Sequence, residues 1–382
     1  MKKLAFICTL AVSFLTLTSA RTSLDKRVAA FEKDFNSLGE ELSCIGAGAS
    51  VVIDGKIVFI GTRGVNDLAL RQEVTSGQYF RVGDIARTIP AIAVLQLVDK
   101  GQADLGADIS DYLGFELRNP ASPQKPLTLR MLLSSTAGLD PDAQLTNISM
   151  LDARKNPGYA EYFLPGVKAG AKYKSATAGY VIAAAIVEKI TGMRFDEYAS
   201  EYIFKPMGIS ATYDAESLDD ASMLSSYVWS ATGKKYIKQK RIYSAFDTKG
   251  YILGESTAML KPAGGLVMTL EDLTVMLQTY MNSMKTPDGK LILSKASAAE
   301  FLKPQLKRKK TCLGLTADAS AVPDYILMTA TGVTSGTSAA IFFNLDEKIG
   351  MAAFCTGSHD ENVGGEHFCK DIRNIFTKHF VD

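Results

Sequence analysis

Asp84 and Arg87 stand three residues apart at the head of a strongly apolar helical stretch of this 382-residue chain, in Phe80-Arg81-Val82-Gly83-Asp84-Ile85-Ala86-Arg87. An aspartate at a helix N-terminus accepts backbone N–H bonds and complements the helix dipole, and an arginine three residues on can close an ion pair with it. For catalysis the pair is poor. Arginine does not lose its proton in proteins and cannot act as a base. Asp84 could attack an acyl group only to form an anhydride, with no neighbouring base to direct water. The hydroxyls of Ser134, Ser135 and Ser175 stand without a histidine or lysine placed to activate them. His359, His367 and His379 all fall in the C-terminal segment with no metal-ligand spacing around them, so surface or capping roles, no metal and no cofactor are expected. Lys172 and Lys174 flank Ser175 and read as solvated loop residues.

The elements that must hold these groups are legible from periodicity. Ile85, Ile89, Ile92, Ala93, Val94, Leu95, Leu97 and Val98 leave almost no polar face before Gly101, so this helix is expected to be buried. Pro90 lacks the N–H that would bond to Ala86, which in a helix interior costs about 3 kcal/mol, and a kink in the first turns is expected. Leu24, Val28, Phe31, Phe35 and Leu38 recur at helical spacing through Arg21 to Leu42. Two strands follow, Gly48 to Ile53 and Lys56 to Gly61, joined by the hairpin dipeptide Asp54-Gly55. Near the other end, Ala339 to Asn344 and Ile349 to Cys355 flank a polar turn. A terminal helix then carries Phe368, Ile372, Ile375 and Phe376 on one face. Together these predict an antiparallel sheet covered by the two terminal helices.

Composition bounds the function. The basic run Met1-Lys2-Lys3, the apolar stretch Leu4 to Leu17 and the small residues Thr18-Ser19-Ala20 predict a signal peptide over 1–20, with an uncleaved anchor as the alternative. Export to the periplasm or medium is the expectation, with no stable membrane span after cleavage. Without Lys2 and Lys3, basic and acidic residues nearly balance, which argues against a nucleic-acid or anionic-membrane partner. The basic cluster Lys303 to Lys310 reads as a solvated loop. At 47% apolar the chain has the composition of a globular protein with a large core, and no Pro/Gly/Ser-rich linker divides it. Four cysteines follow the leader, Cys44, Cys312, Cys355 and Cys369, and four allow three pairings.

The ordered motifs resemble serine hydrolases of the penicillin-binding and β-lactamase superfamily, the class C β-lactamase-related branch. Phe80 to Arg87 is similar to that family's F-R-I-G-S-x-x-K turn. Ala103-Asp104-Leu105 with Ile109 to Leu113, Leu127 to Leu139, Phe204 to Ile209, and Pro262 to Leu266 with Thr269, Asp272 and Leu273 match four further frames in the right order. The resemblance spans nearly all of 21–382. It implies an α/β (α+β) fold: a five-stranded antiparallel sheet flanked by N- and C-terminal helices, with an all-helical insertion. The α/β part would occupy about 21–110 and 260–382, and a helical and loop insertion about 111–259. Most of the cysteines read as buried small hydrophobes, and because the family sets its first strand beside its last strand and terminal helix, the resemblance leaves open a bridge of Cys44 with Cys355 or Cys369.

At all three family motifs the proton-handling side chains differ. Where the family has S-x-x-K, this chain reads Asp84-Ile85-Ala86-Arg87. Gly170, Tyr173, Gly179, Tyr180 and Glu188 set the second frame, placing Ser175 at the general-base tyrosine and Thr177 at the asparagine of Y-x-N. The third, H-T-G-G-T-x-G, reads Ala330-Thr331-Gly332-Val333-Thr334-Ser335-Gly336, and Ser135 stands where a histidine is usual. A carboxylate at 84 would oppose the charge that develops at oxyanion amides, which the resemblance places at Asp84 and Val333. The expectation is an inactive member, with Asp84, Arg87, Ser175 and Ala330 as degenerate catalytic positions. Its binding pocket would be lined by Asp84, Arg87, Ser135, Ser175, Thr177, Thr331, Gly332 and Val333. The ligand implied is a peptidoglycan-type peptide or another small acyl compound. Two alternatives stay open: a hydrolase or acyltransferase rebuilt around Asp84 or Ser175, and an interaction protein whose cleft is filled by the Asp84–Arg87 pair. The segments Asp140 to Gly158 and Asp214 to Tyr251 match no family frame, and specificity is expected to lie there.

Overall fold

Small residues and alternating large ones let strands from opposite ends of the chain pair at the centre of one sheet. The computed structural model describes residues 2–239, 248–306, 310–322, 325–358 and 366–381. Helix α1 (Lys2–Glu41) leads into β1 (Gly46–Ile53) and β2 (Lys56–Asp67). Asp54 and Gly55 turn between them with φ of 48° and 74°, the left-handed pair that a two-residue hairpin requires. Next come β3 (Gln72–Glu73), β4 (Phe80–Arg81), a 3-10 turn at Gly83–Arg87, and α2 (Thr88–Asp99). The middle of the chain carries α3 (Ile109–Leu113), α4 (Leu129–Leu133), α5 (Thr177–Thr191), α6 (Phe195–Ala199) and α7 (Lys205–Met207). It also carries a hairpin of β5 (Tyr227–Ser230) and β6 (Lys235–Lys238). The chain returns through β7 (Val267–Met268), α8 (Leu270–Met281), α9 (Lys295–Leu302) and β8 (Lys310–Thr311). It ends in β9 (Thr316–Val322), β10 (Tyr325–Thr334), β11 (Thr337–Asn344), β12 (Ile349–Thr356) and α10 (Glu366–Phe380).

The sheet is antiparallel with the order β3-β2-β1-β12-β11-β10-β9-β8. Eight strands are present where five were expected. The five long central ones are joined by β9 and by two-residue strands at both edges, and a two-residue strand has no period to read. Alternation sorts side chains to two cores. Ala47, Ala49, Val51, Phe342, Met351 and Ala353 face α1 and α10, where Phe31, Phe35, Phe368, Ile372 and Phe376 are fully buried. Ile341, Phe343, Ala352 and Phe354 face α8 on the other side. Each such large side chain taken from water contributes roughly 1.5–3 kcal/mol, so the layers need no other glue. Among the described residues no helix is long and apolar enough to cross a membrane.

Helix α2 is as buried as its composition requires, from Ile89 through Leu95 and Leu97. Pro90, where the sequence predicts a kink, lies just after a change of helix type. The chain closes a 3-10 turn at Arg87 before the α-helix begins at Thr88, so Pro90 falls in the first α-helical turn, where N–H groups commonly lack an α-helical partner.

Candidate functional site

The Gly83–Arg87 turn is held against β10 by backbone contact. Gly83 has φ 55°, and a Cβ on it would lie 2.9 Å from Gly332 Cα. A Cβ on Gly332 would lie 1.9 Å from the Val82 carbonyl oxygen and 2.7 Å from the Asp84 nitrogen. No side chain fits at either position, so these glycines fix how closely the turn and strand approach. Asp84 and Arg87 are thereby presented at the seam between the sheet and the helical part.

Arg87 is the hub. Its Nη2 lies 2.7 Å from Asp84 Oδ2 and donates to Thr177 Oγ1 at 3.1 Å. Its Nη1 donates to Ser175 Oγ at 2.5 Å, and its guanidinium carbon lies 5.5 Å from the centroid of the Tyr180 ring. Only 12% of the Arg87 side chain meets solvent, and its Nε is buried without a hydrogen-bond partner. Thr177 can reach because it is the first residue of α5, whose N-cap, Ala176, offers no side chain to the helix end.

Asp84 has a different environment. Its side chain is 45% exposed, yet enough protein surrounds it that desolvation raises its pKa, against a smaller lowering by Arg87. Ser135 is buried with φ 54°, its carbonyl accepts from Lys174 N at 2.8 Å, and its hydroxyl lies 3.4 Å from Tyr180 Oη. Tyr180 in turn donates to the Leu133 carbonyl at 2.9 Å, and burial pushes its phenol up to about 12. Tyr180 therefore lies between Ser135 and Arg87. In the sequence Tyr180 only sets a frame, beside Gly179, which the structure packs on the backbone of Leu132.

Six of the expected site residues gather in one place, in three grades of contact. Asp84, Arg87, Ser175 and Thr177 are joined by direct bonds, Gly332 by backbone contact, and Ser135 through Tyr180. The β10 side chains do not join the knot: Ala330 is buried in the core, while Thr331 and Val333 are exposed. Lys172 and Lys174 are exposed as expected. His379 lies at the junction of α1 and α10, 2.8 Å from Asp34 Oδ2, on the other side of the sheet from α2. His359 lies outside the described residues. No group of His, Cys, Asp and Glu suited to a metal occurs among the described residues.

Residues 30–368 match the family model described as Beta-lactamase. The chain belongs to the Beta-lactamase family. Among its relatives, Penicillin-binding protein 4 of Amycolatopsis lactamdurans is 26% identical over 71% of this chain and 68% of its own length. A Beta-lactamase of Yersinia enterocolitica is 26% identical over 77% of this chain and 70% of its own. Among solved structures, the octameric penicillin-binding protein homologue from Pyrococcus abyssi superposes with TM-score 0.71 at 20% identity, over 86% of this chain and 73% of that one. EstCE1, a hydrolase with promiscuous acyltransferase activity, superposes with TM-score 0.70 at 18% identity, over 93% and 99%. These likenesses establish the fold of this β-lactamase-family chain as the antiparallel sheet and helices of that family.

The chemistry open to the knot follows from its atoms. A guanidinium donating to Ser175 Oγ draws electron density from the oxygen that would attack a carbonyl, and it cannot accept the proton in exchange. Asp84 offers a half-exposed carboxylate. The arrangement suits recognition of polar groups better than proton transfer.

Proposed function

We propose that this member of the serine-hydrolase-like Beta-lactamase family is an exported pseudoenzyme. It binds a small acyl compound or a peptidoglycan-type peptide without turning it over. One observation carries the reading. Arg87 is bonded at once to Asp84, Ser175 and Thr177, so the cation stands locked on the hydroxyl that a catalytic site would have to free. The basic n-region, apolar stretch and small-residue end of 1–20 support export. Binding is supported by the half-exposed Asp84 carboxylate and by the exposed Thr331 beside the glycine contact of β10.

The test is a thermal-shift panel of muropeptides, D-amino-acid peptides and β-lactams with wild type and Arg87→Ala. At least one compound is expected to raise the wild-type midpoint by a few degrees at saturating concentration, and to lose that effect in Arg87→Ala. A panel with no shift for any compound would contradict ligand binding. Turnover that disappears in Ser175→Ala would instead establish a rebuilt hydrolase.

A further inference from the structure

Four free cysteines lie among the residues whose side chains are described, and two of them nearly touch. Cys44 Sγ and Cys355 Sγ are 2.6 Å apart although the residues are 311 apart in the chain. At that separation nothing lies between the two sulfurs, and either can reach the other without a change of backbone. Local structure explains the meeting. After α1 the chain reverses through Ser43 at φ 50°, with Ser43 N and Cys44 N bonded back to the Glu40 and Gly39 carbonyls. Ile45 N then bonds the Thr356 carbonyl, and Ala47 pairs with Cys355 in the β1–β12 ladder. Cys44 is thus folded back over the end of β12, on the face covered by α1 and α10.

The remaining thiols are placed differently. Cys312 is buried in the other core with its sulfur on the Leu302 carbonyl, and Cys369 is buried on α10 with its sulfur on the Ala339 carbonyl. Burial pushes both thiols up to about 12, and Cys355 is likewise raised, so none of the three begins exchange readily. Cys44 is only half-buried and is the sulfur an oxidant can reach.

We propose that Cys44 and Cys355 form a disulfide that ties the α1–β1 joint to the last strand. The oxidant is a disulfide, either a small-molecule one or that of a thiol–disulfide oxidoreductase. The Cys44 thiolate attacks one oxidant sulfur and expels the other as a thiolate, leaving a mixed disulfide. Cys355, giving up its proton, attacks Cys44 Sγ and expels the second oxidant thiolate. Two electrons and two protons pass to the oxidant, which leaves as two thiols. The bridge also fixes the turn on which the β5–β6 hairpin rests, since Tyr236 Oη donates to the Ser43 carbonyl at 2.5 Å. That hairpin packs against the β10–β11 turn, where a Cβ on Gly336 would lie 2.7 Å from the Tyr227 oxygen.

The full chain is incubated with oxidised glutathione, its remaining thiols are alkylated, and the digest is mapped by mass spectrometry. The expected product is a peptide pair joining Cys44 to Cys355, in a chain about 2 Da lighter that dithiothreitol restores. Reduction is expected to lower the thermal midpoint by roughly 5–10 °C, since a very long loop is released. Cys44→Ser is expected to show no difference between oxidised and reduced samples. The partly exposed cysteine carries the variant test because Cys355→Ser alters the packed core. Alkylation of both Cys44 and Cys355 after oxidation, a Cys355–Cys369 bridge, or glutathione retained on Cys44 would each overturn the proposal.

Discussion

The two ends of α5 each hold a charge, and the two charges are treated in opposite ways. At the C-terminal end Glu188 is fully buried. Its carboxylate accepts from Phe195 N at 2.9 Å, Tyr251 Oη at 2.6 Å, Gly254 N at 2.7 Å and Thr257 Oγ1 at 2.6 Å. Four donors surround an acceptor with about four lone-pair positions, so nothing is left for a ligand. At the N-terminal end Arg87 binds Thr177 and Ser175, but its Nε has no partner and its counterion Asp84 is half exposed. A saturated buried charge is a structural pin: here it holds the 251–257 loop and the start of α6 on the helix. At the N-terminal end the group open to solvent is the Asp84 carboxylate, while the unpartnered Arg87 Nε is buried.

The largest effect that would test this contrast is at the saturated end. Glu188→Ala strands four donors and is expected to cost on the order of 3–5 kcal/mol in urea unfolding. Any variant that still folds should keep the wild-type response to the ligand panel; losing it selectively would blur the distinction. Arg87→Ala is expected to cost less, about 1–3 kcal/mol, because Asp84 can turn to solvent and the hydroxyls can find water. It should be the variant that changes ligand response most.

Two aspartates sharpen the comparison through pH. Asp67 is held at about 2, first by its hydrogen bond from Lys238 at 2.5 Å and then by the Leu70 and Ala69 amides. A folded pKa below the ordinary value means stability that is present above about pH 4 and lost as pH falls towards 2. The stability gap between wild type and Asp67→Asn should therefore shrink on acidification. Asp84 has the opposite sign. Its pKa is raised by desolvation, so the folded state binds its proton more tightly, and this contribution falls as pH rises through the raised value. Asp84→Asn is expected to differ from wild type by less than about 1 kcal/mol at neutral pH, and to gain relative to it as pH rises from the acid side. Urea titrations at a series of pH values measure both. Parallel slopes for the two variants would contradict the assignment.

Much of the scaffold could be read from the chain because burial writes a period into it. Phe368, Ile372 and Phe376 recur every four residues and are buried on α10, and Asp54-Gly55 is a turn because both residues tolerate positive φ. The gathering of Asp84, Arg87, Ser175 and Thr177 was also legible, since each sits at a fixed offset from a glycine or tyrosine of a family frame. What escaped depends on three-dimensional context. Pro90 reads as a helix breaker until the preceding turn proves to be 3-10. The β5–β6 hairpin lies in a segment without a frame, although the apolar runs Tyr227 to Trp229 and Tyr236 to Ile237 flank the turn residues Thr232-Gly233. Glu188 reads as an ordinary helix carboxylate, because its donors come from residues up to 69 positions away.

The most direct measurement incubates the protein with a fluorophosphonate and with a chromogenic cephalosporin, following intact mass and absorbance together. The locked Arg87–Ser175 contact predicts an unchanged mass and no hydrolysis above an Asp84→Ala control. A covalent adduct mapping to Ser175 or Asp84, or turnover abolished by replacing either, would contradict the account.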